Sequence, residues 1–551
     1  MRKAWGKRML ALTLAAGLLA GCGSTGAGTG ASAEPSTGTG AETAASAEQA
    51  AGEKEKVTFD VVIFKHALSK CDDFNEMAGF KMAEEATGVH INWIYIAEGA
   101  NEKVNVMLTS DLPDAFIGTI RETQMSTNPE LFLDLNQNNL LQTYAPHVYA
   151  DYQKATSENM LESLTWPDGS IRSLATGTEV NYQNDAEGIM MINKTWLDQL
   201  GMDVPETTDE LYEVLKAFRD NDMNGNGDPN DEIPLELAQS NWAATYITMA
   251  DSWGLAGVTS ANLDHAYLVQ DGKIVPTLDK PEFRSYLEYM HKLMSEGLLD
   301  KEMFTQTNDQ YFAKLKSGVV GVASLWTAYT MMNEDLAAQY VPMRTVRAQD
   351  DIEPRKTGTK NTPTANRTGF VITRDCENPE RLLEWWDFLS STTENKYTVS
   401  QGARGGSWDI NEEGQVYEKT PEGLTADFTI GNYNYTYGMV GICPFIRADE
   451  GILIDKEESF AKWVRTEMVD AVHDQILERD EVVPRKFVSD EKMNERMFLQ
   501  TELENYFGNF TGTAIMDGVT DESWAAHLEM LKTLQYYDWI QWWQDYMDGA
   551  L

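Results

Sequence analysis

Apolar and polar residues follow strand and helix periods in turn over the stretch from residue 57 to residue 118. Residues 57–64, 89–96 and 112–117 are predicted to form buried strands, and the segments between them have helical patterning. The order β-α-β-α-β predicts a parallel sheet with helices on both faces. Ligands bind such sheets beyond the carboxyl ends of the strands, so the loops 64–69 and 118–122 are predicted to border a cleft.

A second α/β region is predicted from residue 188 onward. Thr207 and Glu210 form a capping box at the start of a helix whose apolar residues share one face. Further along, residues 318–326 are predicted to form a buried strand that ends at Trp326. The body, residues 57–551, is longer than one hydrophobic core usually supports, so two lobes are expected.

The loop after the capped helix, the Asp222 loop (residues 222–232), has oxygen-bearing side chains at alternate positions. Ca²⁺ binds six to eight oxygens, and Gly227 permits the sharp turn that brings them together. The pattern D-x-[DN]-x-[DN]-G predicts an EF-hand-like structural Ca²⁺ site. The predicted ligands are Asp222, Asn224, Asn226, the backbone carbonyl of Asp228, Asp231 and Glu232.

Two other interpretations of this loop stay open. A shifted register begins at Asp220, places Gly225 at the turn and closes on Asp231. Alternatively, the loop is a surface turn rich in Asp, Asn and Gly that binds no metal. Ile233 and Pro234 predict an extended exit without a second amphipathic helix, so a single structural clip is expected instead of a paired sensor EF-hand.

The first 21 residues have the pattern of a lipoprotein signal peptide. A basic start precedes an apolar segment, residues 9–20, that is too short to span a bilayer stably. The segment ends in Leu-Ala-Gly-Cys at residues 19–22, which resembles the bacterial lipobox and implies cleavage before Cys22 and attachment of acyl chains such as palmitate. Residues 22–56 are predicted to be a disordered tether. We therefore expect a protein anchored by lipid to the extracellular face of the cell membrane.

Charge and cysteine content exclude several classes of function. The chain has 87 acidic and 44 basic residues, a net charge of −43, which argues against nucleic acid and against docking on anionic lipid. It also argues mildly against a polyanionic ligand, although a local basic cleft could overcome the overall field. Besides Cys22, three cysteines remain, with no CxxC motif, so at most one disulfide is expected among Cys71, Cys376 and Cys443.

Several segments together are similar to the bacterial extracellular solute-binding proteins of ABC uptake systems, in the large sugar-binding group (family 1). They include LPDAFIG at 112–118, DMNGNGDPNDEIP at 222–234 and LKSGVVGVASLW at 315–326. The loop and the C-terminal segment resemble a Gram-positive lipoprotein branch similar to the calcium-containing alginate-oligosaccharide binders. Relatives often read G-K-x-Y-A-x-P where this chain has Ser170 to Ala175, so the resemblance does not carry over the identity of the ligand.

The resemblance implies a periplasmic-binding-protein-like α/β fold with parallel-rich sheets, in which a multi-strand hinge joins two lobes. Crossings between the lobes are expected near residues 176–186, 330–335 and 392–400. The first lobe would contain about 57–175 and 335–392, and the second about 186–330 and 400–551. A ligand held between the lobes would stabilise the closed form, which a membrane permease recognises. A monomer is expected.

The resemblance also implies an oligosaccharide or another polar small solute as the ligand. Aromatic rings match the apolar faces of sugars, while Asp, Asn, Glu and Arg side chains match the hydroxyl groups. Trp326 is the leading candidate because related sugar binders place a stacking tryptophan at the end of the corresponding strand. The other predicted ligand-binding residues are Trp408, Trp166, Trp253, Arg404, Tyr433 and Tyr435. Most of the 15 tryptophans are expected to lie in the core instead.

Two alternative functions are considered beside uptake. A surface glycan adhesin would have the same fold without a transporter, and a secreted calcium-dependent glycan hydrolase would use paired carboxylates. With 87 acidic residues, close carboxylate pairs arise by chance, and the motifs G-x-S-x-G, H-E-x-x-H and the P-loop are absent from the sequence. A binding protein that is not an enzyme is therefore expected.

Overall fold

A computed structural model describes residues 55–551, except residues 98, 229, 242, 258–262, 264–265 and 426–427. The predicted signal peptide, the lipidation site Cys22 and nearly all of the tether lie outside the described residues. In the described part of the chain, no helix is long and apolar enough to cross a membrane. The three cysteines described, Cys71, Cys376 and Cys443, are free thiols.

The strands are short and come from all parts of the body. In chain order they are β1 Val57–Phe64, β2 Val89–Ile96, β3 Ala115–Ile117, β4 Leu174–Thr176, β5 Ile189–Asn193, β6 Ile233–Glu236, β7 Tyr267–Gln270, β8 Lys273–Pro276, β9 Val320–Leu325, β10 Tyr340–Pro342, β11 Lys356–Thr359, β12 Asn366–Ile372, β13 Trp408–Ile410, β14 Val416–Glu418 and β15 Ile476–Leu477.

The helices cover the faces of the two larger sheets and form most of the C-terminal part. In chain order they are α1 Ala78–Thr87, α2 Ala100–Leu108, α3 Glu122–Thr127, α4 Leu140–Tyr144, α5 Pro146–Lys154, α6 Met160–Leu164, α7 Lys194–Leu200, α8 Thr208–Arg219, α9 Pro281–Ser295, α10 Asn308–Ser317, α11 Ala328–Met331, α12 Glu334–Ala337, α13 Pro379–Ser390, α14 Thr393–Gln401, α15 Ile430–Tyr437, α16 Phe460–Val472, α17 Asp490–Asp517, α18 Asp521–Thr533 and α19 Tyr536–Met547.

The first lobe is built on a five-stranded sheet of order β2-β1-β3-β12-β4. β1 pairs in parallel with β2 and β3, which confirms the predicted β-α-β-α-β unit. β12 is inserted antiparallel between β3 and β4. The strands bury their apolar residues in a core with α1, α13 and the helices that follow β3, and Trp385 and Trp386 lie at its centre.

The second lobe is built on a four-stranded mixed sheet of order β10-β5-β9-β6, in which β6 and β9 are parallel and the other pairs antiparallel. α8 begins at the predicted capping box of Thr207 and Glu210, and its apolar face is buried as the spacing predicts. The long helix α17 packs with α9 and α19 in the main core of this lobe. The molecule therefore has two α/β lobes, each with its own sheet and core.

Three segments cross between the lobes and are hydrogen-bonded to one another. The first runs from β4 to β5, the second from β11 to β12, and the third leads from α15 to α16. The amide of Gly177 donates to the carbonyl of Cys443 at 2.8 Å, and that of Thr364 donates to the carbonyl of Glu179 at 3.0 Å. The first of these segments overlaps the expected crossing at 176–186, whereas the other two lie away from the expected 330–335 and 392–400.

The predicted division of the chain differs from the observed sheets at two places. β10 pairs with β5, so this strand belongs to the second sheet although it falls in 335–392, which was assigned to the first lobe. Trp408 and Cys443 pack in the first core, although 400–551 was assigned to the second lobe. Periodicity identifies a strand or helix, but it does not indicate which of two sheets the element joins.

Candidate functional site

Two cavities lie beside the crossing segments. The hinge cavity, of about 810 Å³, is lined by Asn184, Glu187, the segment 358–363 and residues of the second lobe such as Trp253. The strand-end pocket, of about 510 Å³, is lined by residues 118–122 after β3, by the start of α2 and by residues 365–368. Arg485 lines both, so the two cavities meet at its side chain.

The loop after β3 was predicted from strand order to border a cleft, and it lines the strand-end pocket. Gly118 begins this loop with a positive φ of 65°, and a Cβ there would lie 2.5 Å from a methyl carbon of Ile442. Only glycine satisfies both the backbone conformation and this close approach. The turn therefore carries Thr119 and Arg121 into the wall of the pocket.

Arginine side chains dominate the charge of the pocket lining. Arg367 donates to the Glu122 carboxylate at 2.7 Å and to the Ser163 carbonyl at 2.9 Å. Arg485 donates to the Ala365 carbonyl at 3.0 Å and forms an ion pair with Glu158. Sequence reasoning missed these arginines because the sequence places Arg121 and Arg485 in distant, unrelated segments.

Trp326 lies directly after β9, at the carboxyl end of the strand, as predicted. It is half-buried, and the Arg465 guanidinium stacks on its ring at 4.0 Å from the centroid. Arg465 also donates to the carbonyls of Gln183, Ala186 and Glu187 in the first crossing segment. The ring is thus tied to the hinge through one buried arginine.

Tyr433 and Tyr435 lie on α15 and are half-buried. Tyr435 stacks on His66 with ring centroids 3.8 Å apart and planes 8° from parallel. His66 belongs to the loop after β1, the other loop that the strand order predicts at the cleft. The pair forms an aromatic platform at the carboxyl edge of the first sheet.

Two of the predicted ligand-binding tryptophans are core residues. Trp408 is 0% exposed, and its indole N–H donates to the Gly402 carbonyl at 2.8 Å. Trp166 is buried and stacks on Phe487 at 4.4 Å. Trp408 follows a Gly-Gly-Ser turn, but α14 packs over its ring through Tyr397. These two rings lie in the core of the first lobe.

Trp253 and Arg404 have different surroundings. Trp253 is buried, donates its indole N–H to Ser285 at 3.2 Å, and contributes to the lining of the hinge cavity. Arg404 is on the surface and donates to the Asp409 carboxylate at 2.7 Å, and this ion pair raises the pKa of Arg404. Trp253 is thus the one of the seven predicted residues that borders either cavity in the described lining.

In the Asp222 loop, the predicted ligands converge. The Asn226 side-chain amide contacts the Asp231 carboxylate at 2.6 Å, and the Asn224 amide contacts it at 3.3 Å. Asp222 accepts from the amides of Gly225 at 2.8 Å and Gly227 at 2.9 Å, which fixes the tight turn. Asp220, the first residue of the alternative register, instead forms an ion pair with Arg219 at 2.7 Å.

Glu232 closes the loop and is 9% exposed. One of its carboxylate oxygens accepts from the Met223 amide at 2.7 Å. The other, Oε2, is buried and has no hydrogen-bond donor within the described residues. An unpaired buried carboxylate oxygen beside amide and carboxylate oxygens has the chemistry of an oxygen-rich cation site, so the residues present fit Ca²⁺.

The chain is similar to known proteins over most of its length. No protein-family model matches the chain. The fructooligosaccharide ABC transporter substrate-binding protein FusA of Streptococcus pneumoniae is 25% identical over 513 residues, which cover 90% of this chain and 91% of FusA. The chain is thus similar, over nine-tenths of its length, to a substrate-binding protein of an ABC transporter. The sequence-based prediction of this family is confirmed.

Solved structures agree with the two-lobe fold of the chain. FusA in complex with kestose matches with a TM-score of 0.75 at 24% identity over 90% of this chain and 99% of FusA. A structure described as a FusA EF-hand mutant in complex with fructo-nystose matches with a TM-score of 0.74 at 22% identity, with the same coverage. A solute-binding protein of Bifidobacterium longum infantis described as binding HMO has a TM-score of 0.75 at 22% identity over 90% of this chain and 99% of that protein.

FusA and the Bifidobacterium longum infantis protein are both described as substrate- or solute-binding proteins. The lipoprotein LipO of Bacillus subtilis is 24% identical over 332 residues, 58% of this chain and 56% of LipO. The periplasmic-binding-protein-like fold predicted from the sequence is confirmed.

Proposed function

We propose that this protein captures an extracellular oligosaccharide between its lobes and delivers it to an ABC permease. The observation that carries the proposal is a likeness to FusA that extends over both lobes and the hinge, since it covers 90% of this chain and 91% of FusA. FusA is named for binding fructooligosaccharides. The hinge cavity and the strand-end pocket, which meet at Arg485, together have the size expected of a site for several sugar residues.

Three half-buried rings outside the lining of the two cavities are proposed to extend the site by stacking on sugar faces: Trp326, Tyr433 and Tyr435. They lie at or near the carboxyl edges of the two sheets, where ligands bind α/β proteins. The Tyr435–His66 pair is held rigidly by its 3.8 Å stacking, so it would lose little freedom when a sugar packs on it. Trp253 is proposed to border the site through the hinge cavity.

Ca²⁺ is proposed as a structural ion of the Asp222 loop. Asp222, Asn224, Asn226, Asp231 and Glu232 would supply side-chain oxygens, and Asp228 its carbonyl. Bound there, the ion supplies positive charge that offsets the gathered carboxylates and holds the loop against β6. The Arg219–Asp220 ion pair favours the register that begins at Asp222.

The mature protein is proposed to be a monomer on the extracellular face of the membrane, anchored by acyl chains on Cys22. The Leu-Ala-Gly-Cys pattern at residues 19–22 supports this proposal. The tether of residues 22–56 would then hold the body away from the bilayer.

Thermal unfolding of the full chain against a panel of oligosaccharides tests the binding function. A ligand that binds the native state alone raises the midpoint, and kestose and human milk oligosaccharides are the first probes. Chromatography after several hours must show the sugar unchanged, whereas its disappearance would indicate a hydrolase. If no oligosaccharide raises the midpoint, the proposed function is wrong.

Single-ring variants test the site. Tyr435→Ala and Trp326→Ala are expected to weaken binding about tenfold, because each removes one stacked ring. Tyr537→Ala is the control, since Tyr537 is 39% exposed on α19 and is not part of the lining of either cavity. Equal losses in all three variants would contradict the assignment of Tyr435 and Trp326.

A further inference from the structure

The strand-end pocket has a positive lining in a strongly acidic protein. The chain as a whole has a net charge of −43, yet the charged residues that line this pocket are Arg121, Arg367, Arg485 and one carboxylate, Glu122. The second carboxylate nearby, Glu158, lies behind Arg485 and is also 3.9 Å from Arg479. Three arginines and one glutamate in the lining, with Arg479 and Glu158 next to them, leave an excess of two positive charges.

The two glutamates fix the directions of the guanidinium groups. Arg485 is held by Glu158 and the Ala365 carbonyl, and Arg367 by Glu122 and the Ser163 carbonyl. The bonds described use three of the five N–H groups of Arg485 and two of the five of Arg367. Both side chains thus keep donors beyond those that position them, and Arg121 adds a third guanidinium at the exposed rim.

A buried hydroxyl in the pocket wall is an independent observation. Thr119 is 6% exposed and lines the pocket, and its Oγ1 has no hydrogen-bond partner in the described part of the chain. A buried hydroxyl without a partner costs about 1–3 kcal/mol. A polar ligand atom in the pocket would give Thr119 the partner that the protein does not supply.

The first turn of α2 adds backbone donors. Ala100 and Asn101 line the pocket, and the N-cap residue before them, Gly99, has no side chain with which to cap the helix. The first N–H groups of a helix have no partner within the helix and carry a partial positive charge. Arginines, an unpaired hydroxyl and a helix N-terminus converge on one space, and all three favour an anion.

We propose that the strand-end pocket binds the carboxylate of an acidic sugar residue, so that the oligosaccharide taken by this protein carries a negative charge at one end. Guanidinium groups bind carboxylates through paired, charge-assisted hydrogen bonds, and they reject a neutral sugar that leaves them unpaired. The inference rests on the proposed function, since it names the class of the oligosaccharide. The local positive charge is what allows an anion to approach an acidic protein.

The experiment compares acids with their neutral esters. Isothermal titration calorimetry on the full chain uses trisaccharides of galacturonate, mannuronate and glucuronate, each beside its methyl ester, with neutral kestose as a further probe. At least one acid is expected to bind ten or more times tighter than its ester, and its affinity is expected to fall with added salt. If no acid binds tighter than its ester while kestose binds, the inference is overturned and the proposed function stands.

Two variants locate the contact. Thr119→Val keeps the shape of the side chain and breaks no hydrogen bond to the described residues, so the fold is expected to be as stable or more stable while the acid binds several-fold more weakly. Arg121→Gln is expected to weaken the acid about tenfold and its ester less than twofold. Arg404→Gln is the control, because Arg404 is exposed and lies outside the pocket lining.

Three further results would count against carboxylate binding in the strand-end pocket. Unchanged binding of the acid in both Thr119→Val and Arg121→Gln would overturn the inference, whatever the acid's preference over its ester. Galacturonic acid monosaccharide that binds as tightly as the trisaccharide would show a site for small carboxylates and would also overturn it. If neither acids, esters nor kestose bind, the proposed function fails together with the inference.

Discussion

Glu179 in the first crossing segment and Glu232 in the Asp222 loop are both nearly removed from solvent, at 0% and 9% exposed. Glu179 accepts from three backbone amides, those of Thr156, Ser157 and Ala448, at 2.5–2.8 Å. Glu232 has one oxygen bonded and the other without a donor in the described residues. The hinge satisfies its carboxylate with backbone amides and the Thr156 hydroxyl, whereas the loop leaves a carboxylate oxygen that a cation would bind.

A buried carboxylate is therefore not by itself a sign of a binding site. Asp185, in the same crossing segment as Glu179, accepts from the amides of Asn361 and Thr362, both at 3.0 Å, so it joins the first crossing segment to the second. Glu179 joins the first segment to the third through Ala448. In the hinge, complete hydrogen bonding therefore indicates a structural role, and in the loop the unbonded oxygen of Glu232 supports the proposed Ca²⁺.

The largest effect is expected at Glu179. Burial alone would raise the pKa of Glu179, but the amide donors outweigh burial and lower it. Glu179→Gln removes one acceptor oxygen and is expected to lower the free energy of unfolding by about 3 kcal/mol, measured by urea unfolding at pH 7. Because the folded-state pKa lies below the unfolded value, this stabilisation is complete above about pH 4.5 and is lost as the pH falls through the folded-state pKa.

The control for Glu179 is Glu478→Gln. Glu478 is exposed and paired with Lys360, so its loss is expected to cost less than about 1 kcal/mol. If Glu179→Gln were as mild as this control, the view that the hinge satisfies its own carboxylates would be wrong.

The next effect concerns the ion. Ca²⁺ at one hundred times its Kd is expected to raise the free energy of unfolding by about 2.7 kcal/mol, and chelation to reverse the change. Glu232→Gln is expected to abolish this response, because the Gln side chain cannot supply the second carboxylate oxygen. Mg²⁺ is the control ion, since it demands a tighter octahedral site. Identical unfolding curves with and without chelator would exclude the calcium proposal.

A smaller effect separates the two registers of the loop. Asp222→Asn is expected to weaken Ca²⁺ binding about tenfold, because it removes the charge of a proposed ligand. Asp220→Asn is expected to leave Ca²⁺ affinity within twofold, since Asp220 is paired with Arg219. The reverse ranking in calorimetric titrations would assign the register that begins at Asp220.

The smallest effect is expected at Glu236, whose buried carboxyl group is neutralised by a proton and not by a cation. Glu236 is 0% exposed and faces Asp300, Lys314, Gln306 and Tyr311. Burial, followed by the hydrogen bond and charge of Asp300, raises its pKa to about 9, so it is protonated in the folded state at neutral pH. Its folded-state pKa exceeds the unfolded value of about 4.5, so stability falls as the pH rises between the two.

Glu236→Gln imitates the protonated acid and is expected to remove this fall. From pH 6 to pH 7, the wild-type protein is expected to lose about 1 kcal/mol of unfolding free energy relative to the variant. Urea unfolding at both pH values measures the difference. Parallel pH dependences for the two proteins would show that Glu236 is ionised in the fold.

Sequence reasoning succeeded where the signal was local. The order of β1, β2 and β3, the capping box of Thr207 and the loop at Gly118 follow from short-range patterns and were predicted. The position of β12 between β3 and β4 was not predicted, because hydrophobic periodicity does not show which strands far apart in the sequence pair with each other.

The candidate site shows the same limit. Trp408 follows a glycine-rich turn in the sequence, yet in the structure it packs against Tyr397 and donates to the Gly402 carbonyl. Thr119 is informative because it lacks a partner, and a sequence does not show which hydroxyl lacks one. Arg485 reaches the pocket from the segment before α17, which no motif marks.

Because β12 lies between β3 and β4, the first sheet cannot be completed until late in synthesis of the chain. As the chain emerges from the ribosome, β4 is complete at Thr176, but its neighbour in the sheet begins only at Asn366. The first core also needs Phe487, which is later still. Neither core can therefore be completed before most of the chain has been made, and apolar surface stays exposed until then. We expect folding to be slow and prone to aggregation without a chaperone.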